Sequence, residues 1–353
     1  MAGQSRHQGS ASMRAMVLRQ TQVLAPSSRP LEALDWPRPV PRADEVLIKV
    51  QVCAVCHTEL DEIEGRVAAH LPVIPGHQVV GTVVESKAEA GPAVGTRVGV
   101  GWIHSACGQC QYCLGGRENL CPEFRGTGCD VHGGYAEYMT APAAFAHPIP
   151  EGLSDVETAP MLCGGAIGLR SLRLAGIANG QTLGLTGFGG SNHQVLRLAR
   201  ILYPDSAVLV WARDPEQRER ALADGAAWAG DTEQLPPDPP AAIIDTTPVW
   251  KPVVAALAAL APGGKLVVNA ISKERADIDQ LGRLDYPQHL WREKMLQSVA
   301  NVTRRDIAGF LELAADHAQL RPVTRTMPLA EANDALIEMR FGAIRGATVL
   351  TVR

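Results

Sequence analysis

Two rhythms of apolar and polar positions divide this chain. Up to about residue 155, short runs such as VLIKVQVCAVC, VVGTVVES and GTRVGVGW are broken repeatedly by Gly and Pro. β-branched runs punctuated in this way predict the strands and turns of a β-rich, barrel-like domain. From about 156 the texture changes. TLGLTGF precedes the helix-periodic HQVLRLARIL, AVLVWA precedes PEQRERALADGA, AAIIDTT precedes PVVAALAAL, and GGKLVVNA follows. Apolar runs alternating with helices predict βαβ crossovers and a parallel, doubly wound sheet, so the fold class is α/β. After SVANVT (298–303) a last helical stretch and the run GATVLTV close the chain. Met13 opens the first strand, and residues 1–12 read as a floppy extension without the apolar core of a secretory signal. QLPPDPP (234–240) reads as a surface loop.

Composition narrows the classes. With 353 residues, 46% hydrophobic and 20% charged, the chain suits a packed protein of two domains or one large one. A net charge of −4 offers no basic face for nucleic acid or anionic lipid. No apolar run reaches the ~18 residues that a membrane helix needs. The eight cysteines and the lack of an export signal point to a cytoplasmic protein whose thiols bind metal.

Four of those cysteines fall within CGQCQYCLGGRENLC: Cys107, Cys110, Cys113 and Cys121, separated by two, two and seven residues. Four thiolates with glycines between them can wrap one tetrahedral Zn²⁺. Such a site is coordinatively closed, so the lobe (104–122) is expected to be structural. Free core cysteines are the bland alternative. Iron–sulfur runs use a shorter final spacing, although Cys121-Pro122 mimics their ending.

From about residue 13 onward the sequence resembles the zinc-dependent alcohol dehydrogenases of the medium-chain dehydrogenase/reductase family. The motifs that carry the resemblance are VCHTEL (55–60), PGHQVVG (75–81), the four-Cys lobe, GGYAEY (133–138), APMLCGG (159–165) and GFGG (187–190), in that order. The resemblance implies a GroES-like catalytic domain formed by 13–155 and 304–353, with a Rossmann cofactor domain at 156–303. It implies a cleft between them holding zinc, nicotinamide and substrate, and a homodimer or homotetramer. It puts a catalytic zinc on Cys56, His77 and Cys163, which leaves a fourth position open, so that two zinc ions per chain are expected. Glu59 stands where the family usually has Asp; it is expected to orient His77 through the ring's other nitrogen. Gln78 stands where the family has Glu, and the lost negative charge should leave the metal more electrophilic. Thr58 matches the hydroxyl that accepts the substrate proton. Asp61 replaces a relay histidine, which leaves the proton's exit through Asp61 or through cofactor hydroxyls. Trp102 and Ile103 fit the substrate cleft or the core equally.

TLGLTGFGGSNHQVL places Gly187, Gly189 and Gly190 between a strand and a helix, where backbone N–H groups can approach a pyrophosphate. Asn192 occupies the usual third-glycine position, and must be accommodated by a wider gap or a hydrogen bond. The acid that would hold a ribose 2′-OH is replaced by Ala212, followed by Arg213. That pair favours NADP(H) over NAD(H), with stacking on adenine or a solvated helix start as the competing role for Arg213. Arg345 matches a family arginine near the cofactor phosphates; a surface arginine is the competing view. The implied reaction is reversible hydride transfer between the nicotinamide and a zinc-bound primary or secondary alcohol or aldehyde. A zinc-free quinone reductase lacks both cysteine sets, and polyol-type relatives commonly put an acid at the third thiolate. A zinc-ribbon module on a nucleotide sensor leaves Cys56, His77, Cys163 and Thr58 idle.

Overall fold

The computed structural model describes residues 11–342 and 346–352. Within them the chain forms two compact units, 11–114 with 121–162, 322–342 and 346–352, and Gly115–Leu120 with Cys163–Arg321. Of the expected extension, residues 1–10 lie outside the described residues, and the first strand already begins at Ser12. Among the described residues no helix is long and apolar enough to cross a membrane.

The spine of the first unit is the strand Glu45–Ala54, whose sequence EVLIKVQVCA buries Val46, Ile48 and Val50. The strands Gln78–Ser86 and Ala347–Thr351 both pair antiparallel with it, so the chain's last strand is laced to an early one. Arg97–Val100, His147–Pro148, Tyr138–Pro142 and Thr324–Pro328 complete a seven-stranded sheet. Its apolar face shares a core built around Val17, Ile48, Val79, Tyr135, Leu336 and Leu350. One register matters most: Ala54 lies opposite Gln78. The residues that leave the first strand and those that enter the second therefore meet at one end of the sheet.

The second unit is a six-stranded parallel sheet in the order Trp228–Gly230, Val208–Trp211, Leu183–Thr186, Ala242–Asp245, Lys265–Val268 and Met295–Ser298. The helices Gly190–Leu202, Pro215–Ala223 and Lys251–Ala259 alternate with these strands. The three central strands are buried along their whole length, as expected where helices cover both faces. This is the doubly wound architecture that the alternation of runs predicts.

Where the sequence reading returns to the first domain at 304, the second unit continues to Arg321. The helix Arg304–Asp316 stays with it because buried Asp306 binds Arg170 at 3.0 Å and Arg173 at 2.5 Å, both on the helix Ala166–Ala175. Residues 115–120 also belong to this unit: Glu118 pairs with Arg304 at 3.2 Å, and Asn119 donates to the Ala300 carbonyl.

Candidate functional site

Cys56 and His77 occupy the sheet end fixed by the Ala54–Gln78 register. Cys56 is the N-cap of the helix His57–Ile63, in extended backbone at φ −132°, ψ 162°. Gly76 precedes His77 at φ +97°, and a Cβ there would lie 2.4 Å from the Tyr135 ring, so only glycine lets the chain turn into His77. Fully buried Glu59 then joins the two. One of its oxygens accepts the Cys56 backbone N–H at 2.8 Å and the other lies 2.6 Å from His77 Nδ1. A carboxylate accepts only, so this contact assigns the ring proton to Nδ1 and aims the Nε2 lone pair away from Glu59.

Cys163 arrives from a different element. Ser154 and Glu157 form a capping box on the helix Asp155–Pro160, which packs on the strands Glu45–Ala54 and Gln78–Ser86. Pro160 has no N–H to give to the ladder, and the next turn, Met161–Gly165, widens to a π-turn carrying Cys163. One donor atom each of Cys56, His77 and Cys163 then lies within 4.8 Å of the other two. His77 Nε2 is buried and has no hydrogen-bond partner. Burial opposes a charged ring, yet the Glu59 carboxylate and the Cys56 sulfur hold the His77 pKa well above its usual value. The field that draws a proton to Nε2 would equally draw a divalent cation. Two sulfurs and one imidazole suit zinc and leave its fourth position uncovered.

The second candidate metal centre is the four-cysteine loop, whose sulfurs also lie within 4.8 Å of one another. Cys110 and Cys113 sulfurs are 3.6 Å apart, and those of Cys107 and Cys113 3.9 Å. A tetrahedral ion with Zn–S bonds of about 2.3 Å spaces its sulfurs about 3.8 Å apart, so the loop fits such an ion. Backbone N–H groups of Cys107 and Glu123 donate to Cys121 Sγ, and that of Cys110 to Cys107 Sγ, at 3.3–3.4 Å. The Cys113 amide is foremost in drawing the Cys110 thiol down to about 7. None of the eight cysteines is in a disulfide.

Around the first centre, Thr58 Oγ1 lies 3.6 Å from Cys56 Sγ, and Gln78 is buried as the first residue of its strand. Asp61 is ion-paired to Arg66, which also binds Glu64, so its carboxylate already has a cation. Trp102 stands beside His77, with ring centres 6.2 Å apart, whereas Ile103 is fully buried in the first unit. Sequence reasoning missed Glu62. It follows Glu59 by three residues, hence on the same helix face, and both its buried oxygens lack a hydrogen-bond partner. Burial first, then the Glu59 charge, push its carboxyl well above the usual range. The i, i+3 spacing of two acids next to Cys56 was the available signal.

In the second unit Gly187 follows the strand Leu183–Thr186 at φ +75°, Gly189 caps the helix Gly190–Leu202, and Gly190 begins it. Asn192 is fully buried and takes the hydrogen-bond route of the two open to it. Its amide donates to the carbonyls of Thr186 and Gly187 at 2.9 and 2.8 Å, tying down the glycine turn. Ala212 is buried just past the strand Val208–Trp211, and Arg213 beside it is exposed. Arg218, which sequence reasoning passed over, donates to the carbonyls of both residues at 2.7 and 2.9 Å. Arg345 lies outside the described residues.

Fold and donor sets together define the class: an α/β protein that pairs a doubly wound sheet with two candidate metal centres. The alcohol dehydrogenase GroES-like domain family matches residues 42–151. The chain is 42% identical over 330 residues to a probable alcohol dehydrogenase, AdhA, of Mycobacterium tuberculosis, covering 92% of this chain and 93% of that one. It is 34% identical over 341 residues to an alcohol dehydrogenase of Geobacillus stearothermophilus, covering 92% and 96%. A thermostable alcohol dehydrogenase of Pyrobaculum aerophilum, solved with cobalt and zinc bound, shares the fold at a TM-score of 0.80, with 23% identity over 97% and 100% of the two chains. The chain belongs to the zinc-dependent alcohol dehydrogenases of the medium-chain dehydrogenase/reductase family.

Proposed function

We propose that the chain, as a homodimer or homotetramer, interconverts primary or secondary alcohols with their carbonyl compounds, using NADP(H) in preference to NAD(H) and holding two zinc ions. Cys56, His77 and Cys163 hold the catalytic ion; Cys107, Cys110, Cys113 and Cys121 hold the structural one. The observation that carries the reading is the approach of the first three donor atoms to within 4.8 Å, with buried His77 Nε2 lacking a hydrogen-bond partner. Zinc held there would supply Lewis acidity toward an alcohol or carbonyl oxygen. Glu59 keeps the His77 ring oriented and fixes the Cys56 backbone. Thr58, whose hydroxyl stands by Cys56 Sγ, relays the substrate's hydroxyl proton in oxidation, accepting it as it gives up its own along cofactor hydroxyls to water, and the relay runs in reverse in reduction. The glycine turn at 187–190 receives the pyrophosphate at a helix start. The missing acid at Ala212, with Arg213 exposed beside it, supports recognition of a 2′-phosphate.

Metal analysis joined to a panel of alcohols and aldehydes, each assayed with NADPH and NADH, tests this. Two zinc ions per chain are expected, with turnover that favours NADPH and a preference that shrinks in Arg213→Ala. One zinc per chain without turnover would favour the zinc-ribbon module. Equal efficiency with both cofactors, unchanged by Arg213→Ala, would remove the NADP(H) assignment.

A further inference from the structure

A closed polar cluster lies at the point where the parallel sheet changes its direction of growth. The strands Leu183–Thr186 and Ala242–Asp245 are neighbours with Thr186 opposite Asp245. The chain adds later strands to the far side of each in turn. In open parallel sheets, ligands bind outside the C-terminal strand ends at such a switch point. Asp245 ends its strand there, fully buried. Its Oδ1 accepts from the Thr186 hydroxyl at 2.5 Å and the Thr247 hydroxyl at 2.8 Å. Its Oδ2 accepts from Lys273 Nζ at 2.5 Å.

Lys273 comes from the irregular stretch after the strand Lys265–Val268, and its side chain is only 9% exposed. Its ammonium also donates to the carbonyls of Thr247 at 2.6 Å and Val249 at 3.2 Å, so three donors meet three acceptors. Two backbone bonds follow the same path, Asn269 N–H to the Asp245 carbonyl and Glu274 N–H to the Pro248 carbonyl, each at 2.7 Å. Thr247 in turn abuts the glycine turn, because a Cβ at Gly187 would sit 2.9 Å from its methyl. One ion pair thus locks together the loops after two strands and backs them against the turn.

A buried ion pair is a poor source of stability, since desolvation offsets most of its attraction and a neutral pair often does as well. Its place between two loops beyond the strand ends suits a positioning role. Direction along the sheet says for what. Ala212 and Arg213 follow the neighbouring strand on one side of the glycine turn, while the Lys273 loop follows strands on the other side. A dinucleotide with its pyrophosphate on the turn and its adenosine toward Arg213 therefore runs its nicotinamide half past the locked loops.

We propose that Asp245 and Lys273 are positioning residues for the nicotinamide half of the cofactor; this rests on the dinucleotide reading above. The test measures binding of NADPH and of 2′,5′-ADP, which has only the adenosine end, to the full chain and its variants. Lys273→Met is expected to weaken NADPH binding about tenfold by removing preorganisation, and to leave 2′,5′-ADP binding within about twofold. The neutral pair Asp245→Asn/Lys273→Met is expected to recover the thermal midpoint lost in Lys273→Met but not the NADPH affinity. That double variant decides alone if Lys273→Met does not fold. Wild-type NADPH affinity in the neutral pair, or an equal loss for NADPH and 2′,5′-ADP, would overturn the inference. If the wild-type chain bound neither NADPH nor NADH, the dinucleotide reading itself would fail, and this inference with it.

Discussion

Glu59 uses its two oxygens on two different segments of chain, the Cys56 amide and the His77 ring. A side chain one methylene longer than the family's usual aspartate makes both contacts while fully buried. Removing it frees the imidazole to rotate and unpins the N-cap that presents the Cys56 sulfur. Partners of this kind typically contribute 10–100-fold to metal affinity, so Glu59→Ala is expected to weaken retention of one zinc by about that factor. Chelator competition followed by metal analysis checks this, with the zinc proposed for the four cysteines as internal reference. Loss of both ions in parallel would instead indicate general unfolding. Residues around the two sites differ in how far sequence exposes them. Cys56, His77 and Cys163 are found together because each sits in a short motif, whereas Glu62, Arg218 and the Asp245–Lys273 pair carry no motif. Their partners are set by register and burial, which no local pattern records.

Elements show the same divide. Strands such as Ala242–Asp245 are legible because burial on both faces leaves an unbroken apolar run. Arg125–Gly126 and His147–Pro148 are too short for any periodicity to show. The π-turn at Met161–Gly165 combines Pro160 with close packing, since a Cβ on Gly165 would lie 2.3 Å from Phe310. The helix Arg304–Asp316 reads as a helix, but its membership depends on arginines 133 and 136 residues upstream. Burial alone would raise the Asp306 pKa; the Thr303 hydroxyl and amide, with Arg173 and Arg170, outweigh it and hold the carboxyl below its usual value. With the folded pKa depressed, this stabilisation is present above the unfolded value of about 3.9 and disappears as pH falls through the folded pKa. Asp306→Asn is expected to cost about 2 kcal/mol near neutral pH, a figure reduced because Arg173 is partly exposed. Urea unfolding of both proteins between about pH 7 and pH 2 should show a stability difference that is constant above about pH 4 and shrinks below it. A constant difference across that range would assign the cost to packing and not to charge.

At the scale of the whole molecule, the proposed homo-oligomer has a candidate surface on the second unit. Met295–Ser298 is the last strand of the parallel sheet, pairs among the described residues only with Lys265–Val268, and exposes all four of its residues. Met295 and Leu296 are about half exposed, and Tyr286 and Trp291 from the preceding segment are more so, their rings 5.8 Å apart. An open edge with large apolar side chains is a template for another strand, and chains that stay monomeric usually blunt such edges with charge, proline or bulges. Two copies related by a twofold axis could pair this strand antiparallel with itself, because such a contact is self-complementary. Sedimentation equilibrium of the wild-type chain is therefore expected to give a multiple of the monomer mass. Leu296→Arg puts two like charges across the axis and is expected to shift the mass toward monomer while zinc content stays the same. An unchanged mass in Leu296→Arg would exclude this edge as the interface. A monomeric wild type would leave its exposed apolar side chains without a partner and remove the oligomer from the proposed function.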